Sequence, residues 1–252
     1  MSRMFAGLFV ALAMLVSPMQ PARAAGAAPA GSIYFDVHYG SQGFKIGEAR
    51  HDWRFADNKY EMSLSLQAKG LAGLFGLEYE QRSRGTIDAS GMRPEHFAVD
   101  QRGRKLESAA FDWAAGRVSI RRDGSERRSG AIRPGDQDLL SLWHQARRVA
   151  DAGQAVKLTV VTNKSVKQAT LEPAGTETLK LAIGQVDTLR VRAWAEEGEL
   201  DIEIWLSQQH GLLPVRIRIE DDKGGVLDQR ASRIEIGASA AAVPARQNST
   251  QK

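Results

Sequence analysis

The chain has 252 residues, 42% of them hydrophobic, with no cysteine and a formal net charge of +4 at pH 7. Lacking cysteine, it has neither disulfides nor thiolate metal ligands, so an apolar core must hold the fold. A charge this close to balance argues against nucleic acid as a partner.

At the start, Arg3 precedes an uncharged apolar run, Met4 to Val16, which Ser17 and Pro18 break. Ala22 and Ala24 then stand at the spacing that signal peptidase accepts. Residues 1–24 read as a cleavable signal peptide, cut after Ala24, and the mature chain is expected in the periplasm. The apolar run is too short to span a bilayer, and no later stretch approaches a transmembrane helix. Loss of Arg3 and Arg23 lowers the formal charge from +4 to +2. Residues 25–31 read as a flexible leader and 237–252, small and aperiodic, as a disordered tail. Between them, 32–236 read as one antiparallel β domain.

Period-two alternation dominates that domain. In KYEMSLSLQA, Tyr60, Met62, Leu64 and Leu66 share one face and Glu61, Ser63, Ser65 and Gln67 the other. LRVRAW, DIEIWL and VRIRIE repeat the pattern, as expected of strands with one face on a core and one in water. Turn signals such as Asp57-Asn58, Ser90-Gly91 and Asp123-Gly124 separate the runs. Arg190, Arg192, Arg216 and Arg218 are placed to pair across strands with Asp201 and Glu203. About seven strands are expected before the middle of the domain and six after it.

Two segments depart from this pattern. GLAGLFG, Gly70 to Gly76, connects two strands yet carries no charge and holds Leu71, Leu74 and Phe75, with Leu77 following. Connections normally meet water. Such a loop either plugs the core or contacts an apolar ligand or membrane. The second departure is GDQDLLSLWHQARRVADAG, where Leu139, Leu142, Trp143, Ala146, Val149 and Ala150 recur at helical spacing. It predicts one amphipathic helix over about 136–152, with Asp136 as N-cap, Arg147 and Arg148 near the C-terminal end and Gly153 as terminator. The expected fold is therefore mainly β: a large curved antiparallel sheet, open barrel or sandwich with a single helix.

Several stretches carry a resemblance in their order along the chain: YGSQGFKIGEA, GTIDASGMRPEHF, AAFDW, GDQDLLSLWHQ, ETLKLAIGQVDTLRV and IWLSQQHGLLPVRI. Together they resemble the bacterial exported family DUF3108, a domain of unknown function. The resemblance implies an envelope protein of antiparallel β architecture and transfers no catalytic residues.

Chemistry is sparse. The histidines His38, His51, His96, His144 and His210 stand at no metal-ligand spacing, and no cofactor motif is present. Ser141 and His144, three residues apart with Asp138 upstream, are the best arrangement for a serine nucleophile. Helical geometry puts both away from the apolar stripe, on a face without an oxyanion hole, so no catalytic residue is assigned and a serine hydrolase is a remote alternative. RVSIRRDGSERRSGAIR gathers Arg121, Arg122, Arg127 and Arg128 near a hairpin tip. A solvated tip or a contact with an anionic surface or acidic partner would explain them. The leading reading is a non-catalytic periplasmic protein that binds an apolar or amphiphilic envelope ligand, a lipid, acyl chain or lipoprotein. The alternative is an envelope assembly protein acting through protein contacts at the Arg-rich hairpin.

Overall fold

The computed structural model describes residues 28–69, 78–195, 197–198, 201–220 and 224–237. The loop residues Leu71, Leu74, Phe75 and Leu77 lie outside them, as do the expected signal peptide and nearly all of the tail. Nine strands precede the helix: β1 (Ala30–Tyr39), β2 (Phe44–Ala56), β3 (Lys59–Ala68), β4 (Glu78–Asp88), β5 (Gly91–Gln101), β6 (Glu107–Asp112), β7 (Arg117–Arg122), β8 (Ser125–Ala131) and β9 (Gln137–Asp138). After helix α1 (Ser141–Ala152) come β10 (Val156–Val161), β11 (Val166–Leu181), β12 (Gly184–Trp194), β13 (Asp201–Ser207), β14 (Leu213–Glu220) and β15 (Val226–Ile236). β1 begins inside the segment read as a leader.

All fifteen strands form one sheet in the order β8 to β1, then β15 down to β9. Two meanders are thus joined where β1 pairs with β15, and β8 and β9 are left at the edges. Among the described residues only the β9–β10 pair is parallel. The sheet is mainly antiparallel and curved, as expected, and is not closed into a barrel by hydrogen bonds.

Two-residue hairpins follow from their turn residues. Asp57 and Asn58 both adopt positive φ between β2 and β3, and so do Asp123 and Gly124 between β7 and β8. The outer-face charges pair largely as expected. Arg192 binds Asp201 through two bonds of 3.0 and 2.7 Å, and Arg190 and Arg218 flank Glu203 at 3.3 Å each. Arg216 differs: it grips Asp228 of β15 at 2.9 and 2.8 Å and lies over the Trp205 ring.

The inward rows are apolar and close around α1. Leu142, Trp143, Ala146 and Val149 are buried on the helix, which packs against β5, β9 and β11 to β14. Truncating Trp143 to Ala would cost about 3–5 kcal/mol. The helix starts five residues later than the sequence suggests, because Gln137 and Asp138 pair as a short strand with Val160 and Val161. Asp136 is consequently not the cap. Its carboxylate accepts from the Arg133 and Thr159 N–H groups, and Asp138 accepts from those of Leu140 and Ser141. Gly153 does terminate the helix, at φ 64°.

One glycine fixes the seat of the helix. Gly91 has φ 105°, and a Cβ there would run into the Gln145 side-chain amide. That amide accepts from the Met92 N–H at 3.0 Å and donates to the Ser90 carbonyl at 2.9 Å. Gly91→Ala is therefore expected to lose about 2 kcal/mol, lowering the unfolding midpoint by about 4–8 °C in a thermal melt, whereas the nearby exposed Arg93→Ala leaves it within a degree or two.

Candidate functional site

Successive hairpins alternate between the two ends of the sheet. The turns at 57–58 and 89–90 and the helix mark one, the helix end. The turns at 40–43, 102–106, 123–124 and 162–165 mark the other, the far end. Different chemistry gathers at each.

At the helix end the groups suggested for catalysis are buried. Ser141 is fully enclosed and His144 nearly so, contrary to the exposed face expected for them. The reason is that the curled sheet surrounds the helix, leaving it little solvent side. No serine–histidine dyad forms. Ser141 Oγ donates to the Asp138 carbonyl at 3.2 Å, and His144 Nε2 faces His51 Nε2 at 2.8 Å. Tyr60 O–H, Ser83 and Asp138 form a chain of 3.1 and 2.5 Å, the Ser83 hydroxyl donating to the carboxylate. These bonds tie β4, β9 and the start of α1 together. His38, which could have met His51 from the adjacent strand, instead stands opposite Lys45 and Asp228. Among the described residues no group of three or more His, Asp or Glu side chains could hold a metal ion.

At the far end the Arg-rich hairpin borders a cleft. Arg121, Arg122, Arg127 and Arg128 line a cleft of about 340 Å³ together with Glu107, Ile120, Asn163 and Lys164. It occupies the seam where the two edges of the sheet approach. The Asn163 amide, from the β10–β11 turn, donates to the Glu107 carboxylate on β6, and Arg122 pairs with Glu107 at 3.3 Å. Thr162 shapes that turn, its Oγ1 accepting from the Lys164 and Ser165 N–H groups at 3.0 and 2.9 Å. Further along the seam Gly130 abuts Val166, leaving no room for a Cβ.

Neutralisation within the cleft is incomplete. Asp123 is engaged by Lys105 at 2.8 Å and Glu126 by Arg117, neither cation belonging to the cleft. Lys105 holds the Asp123 carboxyl below its ordinary range, and the Ser119 hydroxyl with Arg117 does the same for Glu126. Arg127, Arg128 and Lys164 form no ion pair among the described residues, and Arg121 is left only to face Glu126 across the strands. Asn163 and Lys164 escaped sequence reasoning because a turn forty residues downstream gives no local sign that it returns to the hairpin.

Apolar side chains accompany this cleft at the far end. Along the inward rows burial is complete near the middle, at Leu64 and Ile217, and only partial further out, at Leu66, Tyr79, Ile219 and Leu227. Phe44 and Leu106, beside the neighbouring turns, are 70% and 51% exposed.

The family model described as a protein of unknown function, DUF3108, matches residues 34–230, nearly the whole sheet. This chain belongs to the DUF3108 family. No curated protein matches it. Among solved structures, a β-barrel-like protein of domain of unknown function DUF1849 from Brucella abortus is similar over 84% of this chain and 100% of its own, with 10% identity and a TM-score of 0.56. A putative exported protein with a YmcC-like fold from Bacteroides fragilis covers 83% and 97% at 11% identity and a TM-score of 0.36. A putative lipoprotein from Parabacteroides distasonis covers 84% and 97% at 8% identity and 0.32. The first likeness shows a shared fold and no more.

The buried network of this DUF3108 protein has a consequence in acid. His51 Nδ1 lies 2.9 Å from the Ser63 carbonyl and so carries its hydrogen, leaving Nε2 to accept from His144 Nε2–H. Burial lowers His51 to about 4, against upward pulls from the Ser63 carbonyl and Asp52; burial, His51 and Arg147 together take His144 well below 6.5. For both imidazoles the stabilising contribution is complete above pH 6.5 and is lost in acid, for His51 as pH falls through about 4. Asp138, raised by burial to about 6 against hydrogen bonds from Ser83, Ser141 and Leu140, acts oppositely: its contribution is present below 3.8 and is lost as pH rises through 6. With two imidazoles against one carboxyl, the unfolding midpoint is expected to fall between pH 6.5 and 4. In the His51→Leu/His144→Leu double variant the same scan by circular dichroism should be flatter.

Proposed function

We propose that this protein is an exported, non-catalytic component of the bacterial envelope that binds an amphiphilic ligand at the far end of its sheet. The export leader read over residues 1–24 supports the location. One observation carries the ligand class: a basic cleft with unneutralised cations shares an end of the sheet with apolar inward rows that are only half buried. A polar head and an apolar tail require that combination, and a purely apolar or purely ionic ligand requires half of it. Catalysis is not part of the reading, since the sequestered serine, histidine and aspartate are engaged in holding α1.

Lys69 and Glu78, which flank the uncharged segment in sequence, stand at the same end, bonded to Ile46 and Arg102. Leu71, Leu74, Phe75 and Leu77 are the contact element of this reading. Burial of three such side chains against a ligand would contribute about 2 kcal/mol each, enough for reversible binding.

Protein isolated from the periplasm should carry an extractable amphiphile, identified by mass spectrometry of an organic extract. Leu74→Ser with Phe75→Ser should cut the recovered amount severalfold at an unchanged unfolding midpoint. An extract with no amphiphile above that of an unrelated periplasmic protein would sink the reading.

A further inference from the structure

The seam cleft narrows the ligand to a chemical class. We propose that it is a binding site for a phosphoryl anion, carried as the headgroup of the amphiphile. The proposal builds on the reading above for the apolar part of the ligand, and on the cleft alone for the anion.

Four features of the cleft select such a group. Its lining holds four guanidinium groups and one ammonium against a single carboxylate, so its field is positive. The carboxylate is already occupied by Asn163 and Arg122, and the two acids of the hairpin are drawn off by Lys105 and Arg117. Three cations, Arg127, Arg128 and Lys164, are thereby left without a carboxylate partner among the described residues. Guanidinium forks match the tetrahedral oxygens of a phosphoryl group through paired N–H bonds, and Lys164 adds a point charge from the opposite wall. Second, the walls come from both edges of the sheet, β6 to β8 on one side and the β10–β11 turn on the other, held in place by the Asn163–Glu107 bond. The cations therefore surround a volume and do not merely decorate a surface. Third, about 340 Å³ exceeds the needs of a simple ion and suits a headgroup. Last, Ile120 lines the cleft and is itself buried in the core, so the anion site touches the apolar interior at that side chain.

A phosphoryl anion could reach the cleft on a lipid or free in solution, and the two sources separate by experiment. Purified mature protein would be tested by sedimentation with vesicles of phosphatidylcholine, with or without one-fifth phosphatidylglycerol, and by calorimetric titration with inorganic phosphate. Three proteins would be compared: the wild type, Arg127→Ser/Arg128→Ser, and a control, Arg54→Ser/Lys59→Ser, which removes the same charge from the helix end. All four altered side chains are exposed, so each variant should melt as the wild type does. Binding to the phosphatidylglycerol vesicles is expected, at least tenfold weaker in the Arg127/Arg128 variant, unchanged in the control, and weakened by salt. Binding of inorganic phosphate without vesicle binding, again lost in the Arg127/Arg128 variant, would keep the anion site and assign its ligand to solution, overturning the headgroup. Equal losses in both variants, or no binding to either probe, would overturn the site. If an amphiphile still co-purifies with the Arg127/Arg128 variant in undiminished amount, the cleft assignment fails while the wider reading stands.

Discussion

A carboxylate that cannot reach water dictates how the inside of this sheet is arranged. Asp138 is wholly buried, and an unsatisfied charge there would cost several kcal/mol. It is satisfied by the Ser83 hydroxyl and by the N–H groups of Leu140 and Ser141. Those bonds join β4 to the first turn of the helix and hold β9 inside the curl. Once α1 is fixed at that point, Trp143 and Leu142 fill the space that fifteen strands enclose at the helix end, and His144 is delivered to His51. Gln145 completes the seat on the backbone around Gly91. The helix is thus located by polar contacts and stabilised by apolar ones.

Much of the architecture was legible because strand and hairpin signals are local. Alternation in KYEMSLSLQA placed Tyr60, Met62 and Leu64 inward, and Asp57-Asn58 and Asp123-Gly124 took the backbone their turns require. The apolar stripe of α1 was legible for the same reason. Its start was not, since pairing of Gln137 and Asp138 with β10 is a tertiary event that removes two residues a helical count would include. Periodicity also told which face of α1 is apolar but not that the other face is enclosed, so Ser141 and His144 were expected in water. The partner of His144 lies 93 residues away, a separation that no spacing rule spans. Of the cleft, the four arginines could be read from their hairpin, while Glu107, Asn163 and Lys164 join it only through the curl of the sheet.

The two ends of the molecule contrast in how their polar groups are settled. At the helix end, serine, tyrosine, histidine and aspartate answer one another within a buried interior. At the far end, cations outnumber the carboxylates near them and apolar rows run outward still half covered. The first arrangement is one of internal closure. The second leaves cations and apolar rows less fully paired within the described residues, which is the physical ground on which recognition is proposed for that end.

Among the described residues β8 has no hydrogen-bonded neighbour on its outer side, so away from Gly130, which abuts Val166, it offers backbone donors and acceptors to an extended chain that drifts near. Its sequence answers that hazard: Ser-Glu-Arg-Arg-Ser-Gly-Ala has scant appetite for β structure and repels its own copy through adjacent guanidinium groups. The arginines that shape a cavity on one side therefore also protect the molecule from stacking edge to edge into fibres. A long curled sheet resists edge-to-edge association when its free margin is unattractive to itself.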